Sequence, residues 1–323
     1  MARNYYIFKG GTIKRKENTI FINTSKERKI LPINDIEQIF IFSEMELNTN
    51  FLNFIAQNKI VLHFFNYYGY YFGSFIPREE NISGTLVIKQ AEHYLIPEKR
   101  LELAKLFVEG AAHNMKRNIE KREGFIEEIN KMKSLISNIK DADNINSLMN
   151  IEAQIKKIYY SCIEKITNWE FKKRSIRPPE NPLNALFSFG NSLVYVQVLK
   201  SIYETPLNPT ISFLHEPGVR RFSLSLDVSE IFKPILSDRL ILRLIDLKMI
   251  REEHFETSLN FAYLNEEGRK IFVKSFDEQL ENTILHRKLR RKVKYKNLIL
   301  FELYRLIKHL LGEEKYQPLK VWF

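Results

Sequence analysis

The sequence predicts an α+β protein, with a small β-rich domain at residues 1–84 followed by a larger all-α domain at residues 85–323. Two observations support this prediction. Short runs of β-branched and aromatic residues, separated by turn residues, fill the first part of the chain. After Gly84 the apolar residues recur every three to four positions instead, which is the spacing of an amphipathic helix.

The N-terminal region alternates strand-like runs with residues that favour turns. Gly10-Gly11, Asn34-Asp35 and Gly69 supply the turns, and a short helix is expected at Leu47–Ala56. His63 lies inside an apolar run, and we interpret it as a packed core histidine. The predicted strands are Tyr5–Phe8, Thr19–Ile22, Ile36–Phe42, Ile60–Phe65 and Tyr70–Ile76.

The C-terminal region is predicted to be helical, with loops at residues 140–146, 176–182 and 203–218. Its first clear apolar stripe consists of Leu101, Ala104, Phe107, Val108, Ala111 and Met115. Pro97 is expected to kink or end the first helix, because proline has no backbone N–H to donate.

Composition favours a polyanionic partner. Lysine and arginine number 50 against 39 acidic residues, which gives a net charge of +11. Residues 1–84 have 10 basic and 8 acidic residues, whereas residues 287–320 have 11 basic and 3 acidic residues. The positive charge is therefore concentrated outside the β-rich region, and nucleic acid is the expected class of partner.

The sequence also indicates where the protein works. Cys162 is the single cysteine, so no disulfide framework can form and a reducing compartment is expected. The N-terminus has no secretory signal pattern, and no run approaches the roughly 20 apolar residues of a membrane helix. These features predict a soluble, cytoplasmic protein that does not enter a membrane.

Glu152 is the first candidate for a chemical role. The segment Leu148–Ile166 is a predicted helix, and Glu152 falls at the edge of its apolar stripe. A half-buried carboxylate at that position needs a metal ion, another cation or a hydrogen-bond donor. The alternative is a surface glutamate that pairs with Lys156, four residues further on.

A histidine and two further acidic residues follow. His215 precedes a Pro-Gly turn, where rigid loops often hold functional groups, although a structural histidine and a role for Glu216 stay open. Asp227 and Glu230 are three residues apart, so on a helix they share one face and can grip a divalent cation. The same spacing is also an N-terminal capping signature.

Two basic segments are candidates for phosphate binding. Arg174 and Arg177 precede a helix on which Asn184 and Ser188 share a face, either as a packing device or as catalytic helpers. Seven of the ten residues from 287 to 296 are basic, and a solvated surface is the alternative for this tail. The tail residues proposed for DNA binding are Lys288, Arg290, Arg291 and Lys292.

Taken in order, these elements resemble the CRISPR-associated integrase, the catalytic subunit of the spacer-acquisition complex. The resemblance spans nearly the whole chain. The segments that carry it are Leu62-His-Phe-Phe, Tyr71-Phe-Gly, Leu148-Met-Asn-Ile-Glu152-Ala, Arg177-Pro-Pro, Asn181-Pro-Leu-Asn-Ala, Ser188-Phe-Gly, Phe213-Leu-His-Glu and Leu226-Asp-Val-Ser-Glu.

The resemblance implies a metal-dependent active site. The family's metal ligands fall on Glu152, His215 and Glu230, while Asp227 matches a further acidic residue of the same catalytic site. The implied cofactor is Mg²⁺ or Mn²⁺, and the implied reaction is attack of a 3′-hydroxyl on a phosphodiester at a CRISPR repeat. This sequence departs from the family's pattern in two ways. Asn150 and Ala153 stand where glycines are usual, and the last ligand is glutamate where the family often has aspartate.

The family also implies partners. They are double-stranded DNA that is branched or has 3′ overhangs, a second copy of the chain joined through the β-rich domain, and a small ferredoxin-like CRISPR adaptation protein. Arg220 and Arg221 join Arg174 and Arg177 as candidates for holding DNA phosphates. Two alternatives stay open: a nuclease of branched DNA or RNA, and a non-catalytic nucleic-acid-binding subunit.

Overall fold

A computed structural model describes residues 2–78, 81–176, 178–218, 222–258, 261–286 and 289–322. The predicted α+β class is confirmed, because strands dominate the N-terminal region and the rest of the described chain is mostly helical. The elements of the N-terminal region are β1 (Arg3–Ile7), β2 (Gly11–Lys16), β3 (Thr19–Thr24), β4 (Arg28–Pro32), β5 (Ile36–Ile41), β6 (Met45–Leu47), α1 (Thr49–Gln57), β7 (Val61–Phe65) and β8 (Tyr71–Phe75).

These strands form two four-stranded sheets. The first has the order β1-β5-β7-β8, in which β1, β5 and β7 run parallel and β8 is antiparallel to β7. The second has the order β4-β3-β2-β6. Ile13, Ile20, Ile39 and Leu62 are fully buried in one core cluster that both sheets share. Helix α1 confirms the short helix predicted near this point.

The C-terminal region begins at Gly84, where the sequence predicts the change from strand to helix. Pro97 is the first residue of the second helix, so the preceding helix ends before it, as predicted. The helices are α2 (Gly84–Leu95), α3 (Pro97–Ile119), α4 (Ile126–Asn138), α5 (Ile145–Thr167), α6 (Pro182–Tyr203), α7 (Ser223–Phe232), α8 (Arg239–Asp246), α9 (Glu266–Glu281) and α10 (Tyr295–Leu310).

The region is not purely helical, which corrects one detail of the prediction. Among the described residues, two antiparallel hairpins interrupt it: β9 (Phe255–Ser258) with β10 (Phe261–Leu264), and β11 (Thr283–His286) with β12 (Arg291–Lys294). Each strand has only four residues, too few for a period of two to stand out from the surrounding helical pattern.

A π-helical segment at Lys233–Asp238 joins α7 to α8. Pro234 lies inside it and cannot donate a backbone hydrogen bond, so the regular α-helical ladder is interrupted there. Helix α6 packs tightly against this segment at Gly190. A Cβ atom at Gly190 would lie 2.3 Å from Ser237 Oγ and 2.9 Å from the Phe272 ring.

The sheets and the helices share buried contacts. Phe42 packs against Phe189 of α6, with ring centroids 5.9 Å apart. His63 is fully buried, with Nε2 3.0 Å from Gln38 Oε1, and the Gln38 amide donates to Gln197 of α6 at 3.0 Å. Burial lowers the pKa of His63 to about 3, so it is a neutral core histidine, as predicted.

Nothing in the described helices is both long enough and apolar enough to cross a bilayer.

Candidate active site

Helix α5 places Glu152 in the interior of the protein. The Asn144 side chain caps the helix by accepting from Ser147 N at 2.8 Å, and Ser147 Oγ accepts from Asn144 N in return. Two turns further on, Glu152 is only 8% exposed. No described residue donates a well-oriented hydrogen bond to the buried atom Glu152 Oε1, although Lys156 Nζ lies 2.8 Å from it.

Lys156 joins the first glutamate to the second. Its ammonium is also 3.0 Å from Glu230 Oε2, on α7. Lys233 contacts the other oxygen, Glu230 Oε1, at 2.5 Å. Burial would raise the pKa of Glu230, but Lys156 and Lys233 hold it well below the usual value. Burial alone would lower the pKa of Lys156, but the negative charges of Glu230 and Glu152 raise it above the usual value. Glu230 is therefore ionised, and the Lys156 ammonium pairs with both carboxylates.

Asp227 holds the loop that carries His215. It is fully buried and accepts hydrogen bonds from three backbone N–H groups, those of Phe213, Leu214 and His215, at 2.6, 2.9 and 3.0 Å. The His215 Nδ1 atom lies 2.8 Å from Asp227 Oδ1. Asp227 therefore orients the imidazole through Nδ1, and the other ring nitrogen, Nε2, takes no part in this contact.

Two of the predicted site residues come together, and a third lies near one of them. Lys156 bridges Glu152 and Glu230, and His215 is close enough to Glu230 to help lower its pKa. As the described side chains stand, no group of three His, Cys, Asp or Glu residues is set closely enough to hold a metal ion. The Lys156 ammonium lies between the two carboxylates, so one cation already offsets part of their negative charge.

The donor set nonetheless suits a divalent metal ion. Two carboxylates supply hard oxygen atoms, and Glu152 Oε1 lacks a well-oriented hydrogen bond from the described residues. The Nε2 atom of His215 adds a nitrogen donor, with its ring orientation fixed from the other side by Asp227. These donor atoms are of the kinds that Mg²⁺ and Mn²⁺ accept.

A groove of about 660 Å³ adjoins these residues. Arg174 lines it, but one guanidinium nitrogen, Nη1, is 3.0 Å from Asn184 Oδ1 and 3.1 Å from Ser188 Oγ. Asn184 and Ser188 thus anchor Arg174, which agrees with the packing alternative for this pair. The basic residues that line the groove are Lys156, Lys157, Lys172, Lys173, Arg174 and Lys233.

The other predicted DNA-binding residues lie away from this groove or outside the described residues. Arg290, Arg291 and Lys292 are exposed on the β11–β12 hairpin, where Arg290 adopts a left-handed turn conformation with φ of 51°. The hairpin packs near α10, since the His286 ring lies 5.7 Å from that of Phe301. The candidates outside the described residues are Arg177, Arg220, Arg221 and Lys288.

Sequence reasoning missed Lys233 and Asp238. Lys233 follows Glu230 by three residues, a spacing that places both side chains on one helix face and that was available in the sequence. Asp238 lines the groove, and its Oδ2 atom accepts a hydrogen bond from the Tyr159 hydroxyl at 3.0 Å. Burial raises the pKa of Asp238 to about 7. Its position depends on the π segment, which no sequence pattern indicated.

Comparison with known proteins identifies the family. A sequence model described as "CRISPR associated protein Cas1" matches residues 5–278. The chain belongs to the Cas1 family. The CRISPR-associated endonuclease Cas1 2 of Moorella thermoacetica is 57% identical over 321 residues, which cover 99% of this chain and 100% of that Cas1 protein.

Solved structures agree with this Cas1 assignment. A Cas1 protein from Thermotoga maritima has a TM-score of 0.89 and 41% identity, over 98% of this chain and 99% of that chain. A casposase bound to an integration product has a TM-score of 0.86 over 98% of this chain and 93% of its own. At 18% identity, the casposase shows only that the fold is shared.

Proposed function

We propose that this Cas1 protein is a metal-dependent DNA endonuclease and integrase that inserts short foreign DNA into CRISPR arrays. The observation that carries the proposal is the convergence of Glu152 and Glu230, from two different helices, on a single cationic group. A basic groove adjoins that point, as phosphodiester chemistry requires. The Moorella relative is named an endonuclease, and the casposase was solved with an integration product.

In this proposal Glu152, Glu230 and Nε2 of His215 hold Mg²⁺ or Mn²⁺. When bound, the ion acts as a Lewis acid and stabilises the negative charge that develops on the phosphate oxygens. One imidazole among carboxylates favours Mn²⁺ slightly without excluding Mg²⁺. Asp227 keeps the His215 ring in one orientation, so Nε2 does not have to be ordered when the ion arrives.

The side chains of the groove position the DNA. Lys157, Lys172 and Lys173 place positive charge along it, and Arg174 adds a guanidinium anchored to α6. The 3′-hydroxyl of the incoming DNA forms a new bond to phosphorus, and the bond to the 3′-oxygen of the repeat strand breaks. The attacking hydroxyl loses its proton to solvent, and the departing oxygen gains one. The number of phosphodiesters is unchanged.

The word endonuclease in the name of the Moorella relative favours a second candidate function, hydrolysis of nucleic acid. We take branched DNA or RNA as the substrate of this alternative. Water would then replace the 3′-hydroxyl as the nucleophile at the same site. The two functions differ in their products, because only integration joins the two DNA molecules. A third candidate, a non-catalytic binding subunit, rests on the exposed cations Arg290, Arg291 and Lys292.

A strand-transfer assay separates these candidates. Short duplex DNA with 3′ overhangs is incubated with a CRISPR repeat in Mn²⁺, Mg²⁺ or chelator, with 3′-hydroxyl or 3′-deoxy ends. We expect joined products only with a metal ion and a 3′-hydroxyl. We expect Glu152→Gln to lower the rate of strand joining about 100-fold or more, because it removes a carboxylate charge from the group that would hold the stabilising ion in the transition state. DNA affinity should stay within about threefold of the wild-type value, since the change leaves the groove's cations in place. Glu127→Gln, whose carboxylate is 87% exposed, is the matched control.

Three results would contradict the proposed function or the proposed site. Cleavage without joining supports the nuclease. Joining that survives in Glu152→Gln places the chemistry elsewhere. The binding subunit is supported if DNA binding is lost in the triple variant Arg290→Gln, Arg291→Gln and Lys292→Gln while Glu152→Gln behaves as wild type in every assay.

The partners are part of the same proposal. We expect branched or 3′-overhanging DNA as substrate, a second copy of the chain joined through the N-terminal sheets, and a small ferredoxin-like adaptation protein. The net charge of +11 supports the first of these partners.

A further inference from the structure

Lys156 occupies an unusual position for a lysine on a helix surface. It follows Glu152 by four residues, the spacing of an ordinary exposed ion pair, yet both of its carboxylate partners are buried. Glu152 and Glu230 are 8% and 4% exposed, and they lie on helices α5 and α7. Two carboxylates that lie this close at a buried place need a cation between them.

Lys156 and Lys233 do not play the same part. Lys233 contacts only Oε1 of Glu230, at 2.5 Å, whereas Lys156 lies 2.8 Å from Glu152 and 3.0 Å from Glu230. The ammonium of Lys156 therefore lies where a single cation contacts both carboxylates. A divalent ion shared by Glu152 and Glu230 needs this same space, and the two cations would repel each other at such a distance.

We propose that Lys156 is a built-in counter-cation that holds Glu152 and Glu230 together and competes with the divalent metal ion for them. The inference rests on the proposed metal site. Lys156 is 26% exposed and lines the 660 Å³ groove, so its flexible stem can carry the ammonium out of the carboxylate pair. Metal binding then exchanges one cation for another, and neither state leaves the buried acids unpaired.

The experiment measures Mn²⁺ binding to the full chain without DNA, by titration calorimetry and by the metal-dependent shift of Tm. Lys156→Gln removes the competing charge and keeps a long polar side chain. Lys157→Gln removes the same charge from the next residue, which lines the same groove, and is the matched control. Lys156→Arg keeps the charge and is the conservative variant.

We expect Lys156→Gln to bind Mn²⁺ about tenfold more tightly than wild type or Lys157→Gln. Without metal, the Lys156→Gln protein should melt at a lower temperature than wild type, because two buried carboxylates lose their shared partner. Mn²⁺ should restore its Tm more than it raises that of wild type. Lys156→Arg should bind Mn²⁺ no more tightly than wild type.

Unchanged or weaker Mn²⁺ binding by Lys156→Gln, relative to Lys157→Gln, would overturn the inference. Glu152→Gln makes this failure distinguishable from failure of the metal site itself. If wild type binds Mn²⁺ and Glu152→Gln does not, the metal site stands and only the role of Lys156 is rejected. If Glu152→Gln binds Mn²⁺ as well as wild type does, the proposed metal site is rejected.

Discussion

The two acidic residues of α7 have different tasks because their surroundings differ. Asp227 accepts three backbone hydrogen bonds and holds the His215 ring, so its oxygens are already committed. Glu230, nearly one turn further on, faces Lys156 and Lys233 instead. Their spacing predicted one shared face but could not separate these tasks. The partner of Asp227 lies twelve residues upstream, in a loop whose conformation Asp227 itself stabilises.

Asp227→Asn tests this assignment at the scale of single residues. The asparagine amide would place an NH₂ donor where the aspartate now accepts hydrogen bonds from backbone N–H groups, so one of those groups would lose its acceptor. We therefore expect the free energy of unfolding to fall by about 1–3 kcal/mol. With the His215 ring misoriented, Mn²⁺ affinity and strand transfer should fall by about 10- to 100-fold. Denaturant unfolding and Mn²⁺ titration measure the two effects separately.

The control for this test is Glu216→Gln, next to His215. The Glu216 carboxylate is 64% exposed and pairs with Arg100, so its loss should change Mn²⁺ affinity little. If Asp227→Asn loses stability but keeps wild-type Mn²⁺ affinity, Asp227 stabilises the loop without positioning the ligand.

The elements differ in how much of them the sequence could predict. The stripe of α5 predicted a helix over Leu148–Ile166, and the structure has Ile145–Thr167, because a long amphipathic pattern leaves little choice. The π segment after Pro234 was not predictable, since proline indicates an interruption but not its geometry. That segment decides where Asp238 lies, so its role could not be predicted either.

Asp238, at the end of the π segment, should make the stability of the protein depend on pH. Burial raises the pKa of Asp238 to about 7, against the opposing effects of Tyr159, Lys233 and Arg174, while Glu230 raises it further. Because the pKa is higher in the folded state, protonation of Asp238 stabilises the fold, and this stabilisation is complete when the pH is below the ordinary carboxyl pKa near 4. This stability is lost as the pH rises through about 7. Asp238→Asn should therefore weaken the fall in unfolding free energy between about pH 4 and pH 7.

Denaturant unfolding at several pH values measures this slope. Asp141→Asn, at an exposed position, is the control and should leave the slope as in wild type. A slope in Asp238→Asn equal to that of wild type would show that Asp238 does not carry this titration.

At the scale of the whole molecule, the N-terminal sheets and the helices are joined. Buried contacts tie the N-terminal sheets to α6, and Lys200 and Lys296 both pair with Glu37 of β5. Local patterns predicted β1, β3, β5, β7 and β8, helix α1 and the change to helices near Gly84, but not β2, β4, β6 or the two C-terminal hairpins. The meeting of Glu152 and Glu230 was not predictable from such patterns, because 77 residues separate them along the chain and only packing brings them together. The family resemblance supplied that pairing.

The central claim is that Glu152, Glu230 and His215 hold the catalytic metal ion. Anomalous X-ray diffraction from crystals grown with Mn²⁺ tests it most directly. We predict one anomalous peak within roughly 2.5 Å of a carboxylate oxygen of each glutamate and of His215 Nε2, with the Lys156 ammonium moved into the groove. A Mn²⁺ peak at Asp227 or elsewhere, with Lys156 still between the two glutamates, would contradict the claim.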